Sequence, residues 1–156
     1  MTRREAWLLH LATLLVGGGG LVYAWMRYFA RPDDPFAVVN HPWQPAVQHL
    51  HVVAAPLLVF ALGLVFKAHS WPGVRLRVAA RRSSGLALFA TAAPMIASGY
   101  LLQTATVPAW RQAWLGIHLV ASALWLGGYL AHQVSSRRAR LPALAEPSRP
   151  AEHRPR

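Results

Sequence analysis

The strongest constraint on this chain is a set of four long apolar stretches without formal charge. They cover residues 7–26, 46–66, 84–104 and 114–134, and none of them contains Asp, Glu, Lys or Arg. A helix needs about 20 predominantly apolar residues to cross a bilayer, and in lipid it must satisfy its backbone hydrogen bonds internally. The sequence therefore predicts an all-α integral membrane protein, a four-helix up-and-down bundle over residues 1–135.

The charged residues lie between these stretches and are unevenly distributed. Of the 16 Lys and Arg residues, thirteen fall in the N-terminal segment, the connection between the second and third stretches, or the C-terminal tail. Positive residues concentrate on the cytoplasmic side of membrane proteins. We therefore expect a bacterial inner-membrane protein with both termini cytoplasmic and a disordered basic tail over residues 136–156. The net charge of +11 is then a topology signal and does not indicate a nucleic-acid partner.

Histidines inside or near the apolar stretches are the candidates for chemistry. The chain has no Cys, which excludes thiolate metal sites and the covalent attachment of a c-type haem. The stretches also lack carboxylates, which argues against a proton pump or a di-iron centre. Imidazole without carboxylate or thiolate favours metal ligation, above all axial ligation of haem.

Two histidines of the fourth stretch share one helical face. His118 and His132 are fourteen residues apart, which corresponds to about 21 Å along a helix axis. Fourteen steps of about 100° bring the second side chain to within about 40° of the first. This spacing predicts one ligand near each membrane surface and hence two stacked haems.

The partner ligands must come from other helices at matching depth. On the external side His49 and His51 both lie early in the second stretch, and we choose His51 because it shares a face with His69. On the cytoplasmic side His10 of the first stretch is the preferred partner of His132. His69, at the end of the second stretch, is the alternative there, and His49 is the alternative on the external side.

Three segments resemble the four-helix cytochrome b subunits of membrane-bound formate dehydrogenases and nickel–iron hydrogenases. They are the His10 region, residues 41–69 and residues 115–134, and the resemblance extends over about residues 5–135. It implies two b-type haems, each held by two histidines. Of the four ligands, two would come from the fourth helix, one from the second and one from the first. The matching residues here are His118 and His132, then His49 or His51, then His10.

The expected function is transmembrane electron transfer through two b-type haems. The chain would be an electron-transfer subunit rather than a stand-alone enzyme. It would lie in contact with membrane lipid and could belong to a larger complex. Its partners would be an external redox protein and quinone or a cytoplasmic acceptor. The alternative is a non-redox membrane protein, an assembly factor or small metal carrier, whose histidines bind metal or only pack.

Overall fold

Five α-helices account for most of the residues that the computed structural model describes. The structure describes residues 2–32, 34–67 and 82–138, with side chains left out at 82–84 and 136–138. The helices are α1 (Arg3–Thr13), α2 (Gly19–Tyr28), α3 (Gln44–Val65), α4 (Arg82–Thr104) and α5 (Pro108–Arg138). A π-helical turn, Leu14–Gly18, joins α1 to α2. His69 and most of the predicted tail lie outside the described residues.

Four helical segments are long and apolar enough to cross a membrane, as the hydropathy pattern predicts. They are Arg3–Tyr28, Gln44–Val65, Gly85–Thr104 and Pro108–Ser135. No β-strand occurs in the described part of the chain. The all-α character and the number of long apolar helices are therefore confirmed.

The helix ends lie farther out than the uncharged stretches indicate. The first helix begins at Arg3 because Thr2 and Glu5 form a capping box, in which Glu5 N donates to Thr2 Oγ1 at 3.2 Å and Thr2 N donates to Glu5 Oε2 at 2.7 Å. The last helix begins at Pro108, a residue type suited to the first helical turn. It continues to Arg138, three residues into the segment predicted to be disordered.

The helices pack as two hairpins. The first hairpin comprises α1, the π-helical turn, α2 and α3, and the second comprises α4 and α5; the closest backbone approaches are within each hairpin. Side chains of both hairpins meet in one apolar core. Leu58, Leu62 and Val65 of α3 and Ala121, Trp125 and Tyr129 of α5 are buried there.

Large apolar side chains cover the outside of the bundle at mid-helix positions. Leu14, Val53 and Val120 are 72%, 76% and 61% exposed. A monomeric soluble protein rarely leaves so much contiguous apolar surface in water. This surface is suited to contact with lipid acyl chains.

Candidate histidine site between the hairpins

His51 of α3 and His118 of α5 face each other across the interface of the two hairpins. Their ring centroids are 6.4 Å apart and the ring planes cross at 76°. Both residues are half-buried, whereas His49, two residues before His51 on the same helix, is exposed. Of the two histidines that the sequence left open on the external side, the structure brings His51 to His118.

Each of the two imidazoles is fixed by a backbone carbonyl of the neighbouring helical segment. His51 Nδ1 lies 2.9 Å from the Val16 carbonyl oxygen, and His118 Nδ1 lies 3.0 Å from the Met95 carbonyl oxygen. A carbonyl oxygen only accepts hydrogen bonds, so Nδ1 must carry the proton in both rings. The lone pair of a neutral imidazole is then on Nε2, the nitrogen that remains available to a metal.

A glycine lies against each ring, four residues after the carbonyl that holds it. A Cβ at Gly20 would come within 2.9 Å of His51 Cε1, and a Cβ at Gly99 within 3.1 Å of His118 Cε1. In both rings the Nδ1–Cε1 edge is therefore the part of the imidazole nearest to the glycine. From a Cβ at Gly20, His51 Nδ1 would be 3.2 Å away and His51 Nε2 would be 3.8 Å away.

The carbonyls that accept hydrogen bonds from His51 and His118 lie in different backbone structures. Val16 lies in the π-helical turn, and its oxygen also accepts a backbone hydrogen bond from Gly19. Met95 lies in regular α-helix beside Ser98, which is fully buried. Ser98 Oγ donates to the carbonyl oxygens of Pro94 at 2.5 Å and Met95 at 3.1 Å, and it lies 3.4 Å from His118 Nδ1.

His10, the predicted cytoplasmic ligand, lies in a second polar cluster between the first and last helices. Its Nδ1 is hydrogen-bonded to the Tyr129 hydroxyl. The Tyr129 ring stacks on Trp125, with centroids 5.5 Å apart and planes at 13°. His132 follows Tyr129 by about one helical turn and is half-buried. His69, the other candidate at this level, is outside the described residues.

Two buried polar atoms near this cluster have no hydrogen-bond partner in the described part of the protein, Thr13 Oγ1 and Trp125 Nε1. Thr13 is 5% exposed and Trp125 is 3% exposed. Buried polar groups are usually hydrogen-bonded, so these two atoms distinguish the cluster from the apolar core around it.

The described residues contain no group of three or more His, Cys, Asp or Glu side chains that could hold a bare metal ion. A site of two facing imidazoles lacks the third and fourth protein ligands of a typical zinc site.

Sequence reasoning found the histidines but missed what orients them. Within the run Gly17–Gly20, no sequence pattern indicates which glycine lies against His51. The sequence likewise gives no reason to select the carbonyls of Val16 and Met95. A lone glycine within a long helix, as at Gly99, is the signal that could have indicated a close contact there.

Comparison of the chain with protein-family models, with curated proteins and with solved structures gives no match.

Proposed function

We propose that this protein carries electrons through a membrane by means of b-type haem, one haem being held between His51 and His118. The observation that carries the proposal is the separation of these two imidazoles. Their ring centroids lie 6.4 Å apart, on helices of different hairpins.

This separation would allow both imidazoles to hold one haem iron. An imidazole nitrogen binds a metal at about 2.0–2.1 Å, so two rings that shared an iron would have centroids roughly 6 Å apart, close to the observed 6.4 Å. Each ring can rotate about its metal–nitrogen bond, so an interplanar angle of 76° is compatible with this arrangement. The protonated Nδ1 of each ring is held by a carbonyl, which directs metal binding to Nε2.

A second haem at the other level of the bundle would complete a path across the membrane. His10 and His132 are the ligands we propose, and His132 lies fourteen residues after His118 on α5. A bis-His haem supplies a one-electron carrier, and the protein sets its position, its potential and its access to water. The aromatic and aliphatic core around the histidines excludes water from the space between the two levels.

We place the bundle in a bacterial inner membrane with both termini in the cytoplasm. The exposed apolar surface at mid-helix supports contact with lipid, and the asymmetry of Lys and Arg supports the orientation. Electrons would then pass between an external redox protein and quinone or a cytoplasmic acceptor. The chain acts here as an electron-transfer subunit and not as a stand-alone enzyme.

The test is the haem content of the full chain, purified from membranes of cells supplied with haem. We expect a reduced-minus-oxidised spectrum of b type and two haems per chain. His51→Ala and His118→Ala, singly or together, should remove one of the two haems. His49→Ala is the matched control, because this exposed histidine on the same helix should be dispensable.

A colourless wild-type protein would contradict the proposal. So would full haem content in the His51→Ala, His118→Ala double variant. The first result would favour the alternative in which the histidines bind another metal or only pack.

A further inference from the structure

The polar cluster at the other level of the bundle fixes His10 through a side chain and not through a carbonyl. The Tyr129 hydroxyl is hydrogen-bonded to His10 Nδ1. The two rings also meet edge to face, with centroids 6.0 Å apart and planes at 65°. Tyr129 lies eleven residues after His118 on α5, about 16 Å farther along the helix. This contact is therefore separate from the His51–His118 pair.

We propose that Tyr129 is a positioning residue for the haem ligand His10. By binding Nδ1, the phenol leaves Nε2 of His10 as the nitrogen available to iron. This inference rests on the proposed haem function. It adds a residue that no ligand pattern in the sequence identifies, and it predicts that the two haems respond differently to one substitution.

The surroundings of Tyr129 hold its hydroxyl in place. Its ring is 8% exposed and stacks on Trp125, which is itself 3% exposed. His10 also meets Trp7 edge to face, with centroids 6.4 Å apart and planes at 84°. The imidazole therefore contacts one aromatic ring on its own helix and another on the last helix.

The hydrogen-bond inventory favours Tyr129 as the acceptor from His10. The hydroxyl of a tyrosine can accept one hydrogen bond while it donates another. A neutral imidazole that bound iron through Nε2 would carry its proton on Nδ1, so His10 Nδ1–H would donate to the phenol oxygen.

A hydrogen-bond acceptor on Nδ1 makes an axial imidazole a stronger electron donor and stabilises the oxidised iron. Removal of the phenol oxygen should therefore raise the midpoint potential of the haem that His10 ligates. It should also change the low-spin electron paramagnetic resonance signal of that haem, because the ring is free to turn. The haem at His51 and His118 should keep both properties, since its ligands are held by backbone carbonyls.

The experiment compares Tyr129→Phe with wild type in the full-length, haem-loaded protein. A redox titration and the low-spin resonance spectrum are recorded for both, and His10→Ala and His51→Ala assign each signal to its haem. Tyr100→Phe is the matched control, because Tyr100 is 51% exposed on α4. We expect Tyr129→Phe to retain two haems and to shift only the signal that His10→Ala removes.

Four results would overturn this inference. They are unchanged signals in Tyr129→Phe, equal shifts of both haems, two haems retained in His10→Ala, and a wild-type protein with a single haem that is lost in His51→Ala. All four leave the His51–His118 site standing. A wild-type protein without haem would overturn the proposed function as well, so the two failures are distinguishable.

Discussion

The two hairpins present their histidines in the same way although their sequences differ. In the first hairpin, a carbonyl at Val16 and a glycine four residues later receive His51. In the second, a carbonyl at Met95 and a glycine four residues later receive His118. The spacing has a physical reason. In a helix a carbonyl points toward the residue four positions later, so a glycine there both uncovers the oxygen and makes room for the imidazole.

The hairpins differ in how the carbonyl is made accessible. The first uses a π-helical turn, an irregularity that is frequent at functional sites. The second keeps regular α-helix and adds the buried hydroxyl of Ser98. The first also leaves less space beside its ring, since a Cβ at Gly20 would approach His51 to 2.9 Å, whereas a Cβ at Gly99 would approach His118 to 3.1 Å. The first hairpin should therefore tolerate less change than the second.

The largest effect is expected from Gly20→Ala. The added methyl would overlap His51 Cε1, so the ring must leave the Val16 carbonyl or the helices must separate. Overpacking of this kind costs about 1–3 kcal/mol, which corresponds to an affinity for haem that is about 5- to 150-fold lower. Haem titration of the purified apoprotein, followed by absorbance, measures this change.

Gly19→Ala is the matched control for this variant. A Cβ at Gly19 would meet nothing within 4 Å, and both substitutions raise helix propensity by the same amount. Equal haem affinity in the two variants would show that Gly20 does not position His51.

A smaller effect of the same kind is expected from Gly99→Ala in the second hairpin. At 3.1 Å the imidazole of His118 needs to give way by only a few tenths of an ångström. We expect a cost of about 1 kcal/mol, or an affinity for haem that is about fivefold lower, measured by the same titration.

Gly116→Ala on the partner helix is the control, because a Cβ there would also meet nothing within 4 Å. If Gly99→Ala weakens binding more than Gly20→Ala does, the order of tightness that we assign to the two hairpins is wrong.

The sequence predicted the helices well because the helical signal is a property of whole segments. Four uncharged stretches of about 20 residues leave few alternatives for a backbone that must pair its own polar groups. The ends were less predictable. The capping box of Thr2 and Glu5 and the helix start at Pro108 both lie outside the uncharged stretches. Single residues determine where these helices begin, and a hydropathy average over a long segment does not show the effect of one residue.

At the site, periodicity predicts that His118 shares a face with His132 and His51 with His69. The approach of His51 to His118 depends on how the two hairpins pack, and it is seen only in the structure. The hydrogen-bond acceptors could not be predicted in the same way. The Val16 and Met95 carbonyls belong to the backbone, which every residue carries, so no residue type marks them. Tyr129 does have a side chain that can be recognised in the sequence as a hydrogen-bond partner. Its contact with His10, however, joins the first helix to the last and depends on how the hairpins pack.

The smallest effect is expected from Ser98→Ala, which tests what the second hairpin gains from its additional hydroxyl. Ser98 Oγ lies 3.4 Å from His118 Nδ1 and already donates to two carbonyls of its own helix. The Met95 carbonyl would still hold His118 in the variant, so the imidazole keeps its principal acceptor. The expected loss is about 0.5 kcal/mol, at the low end for a hydrogen bond. Haem affinity should therefore fall less than threefold.

Thr91→Val is a suitable control for Ser98→Ala, because Thr91 makes the same pair of hydrogen bonds to its own helix without a histidine nearby. If Ser98→Ala lowers haem affinity tenfold and Thr91→Val does not, then Ser98 and not the Met95 carbonyl is the principal partner of His118. The two hairpins would then hold their ligands by different chemistry, one by backbone and one by side chain. The common rule of a carbonyl followed four residues later by a glycine would apply to the first hairpin alone.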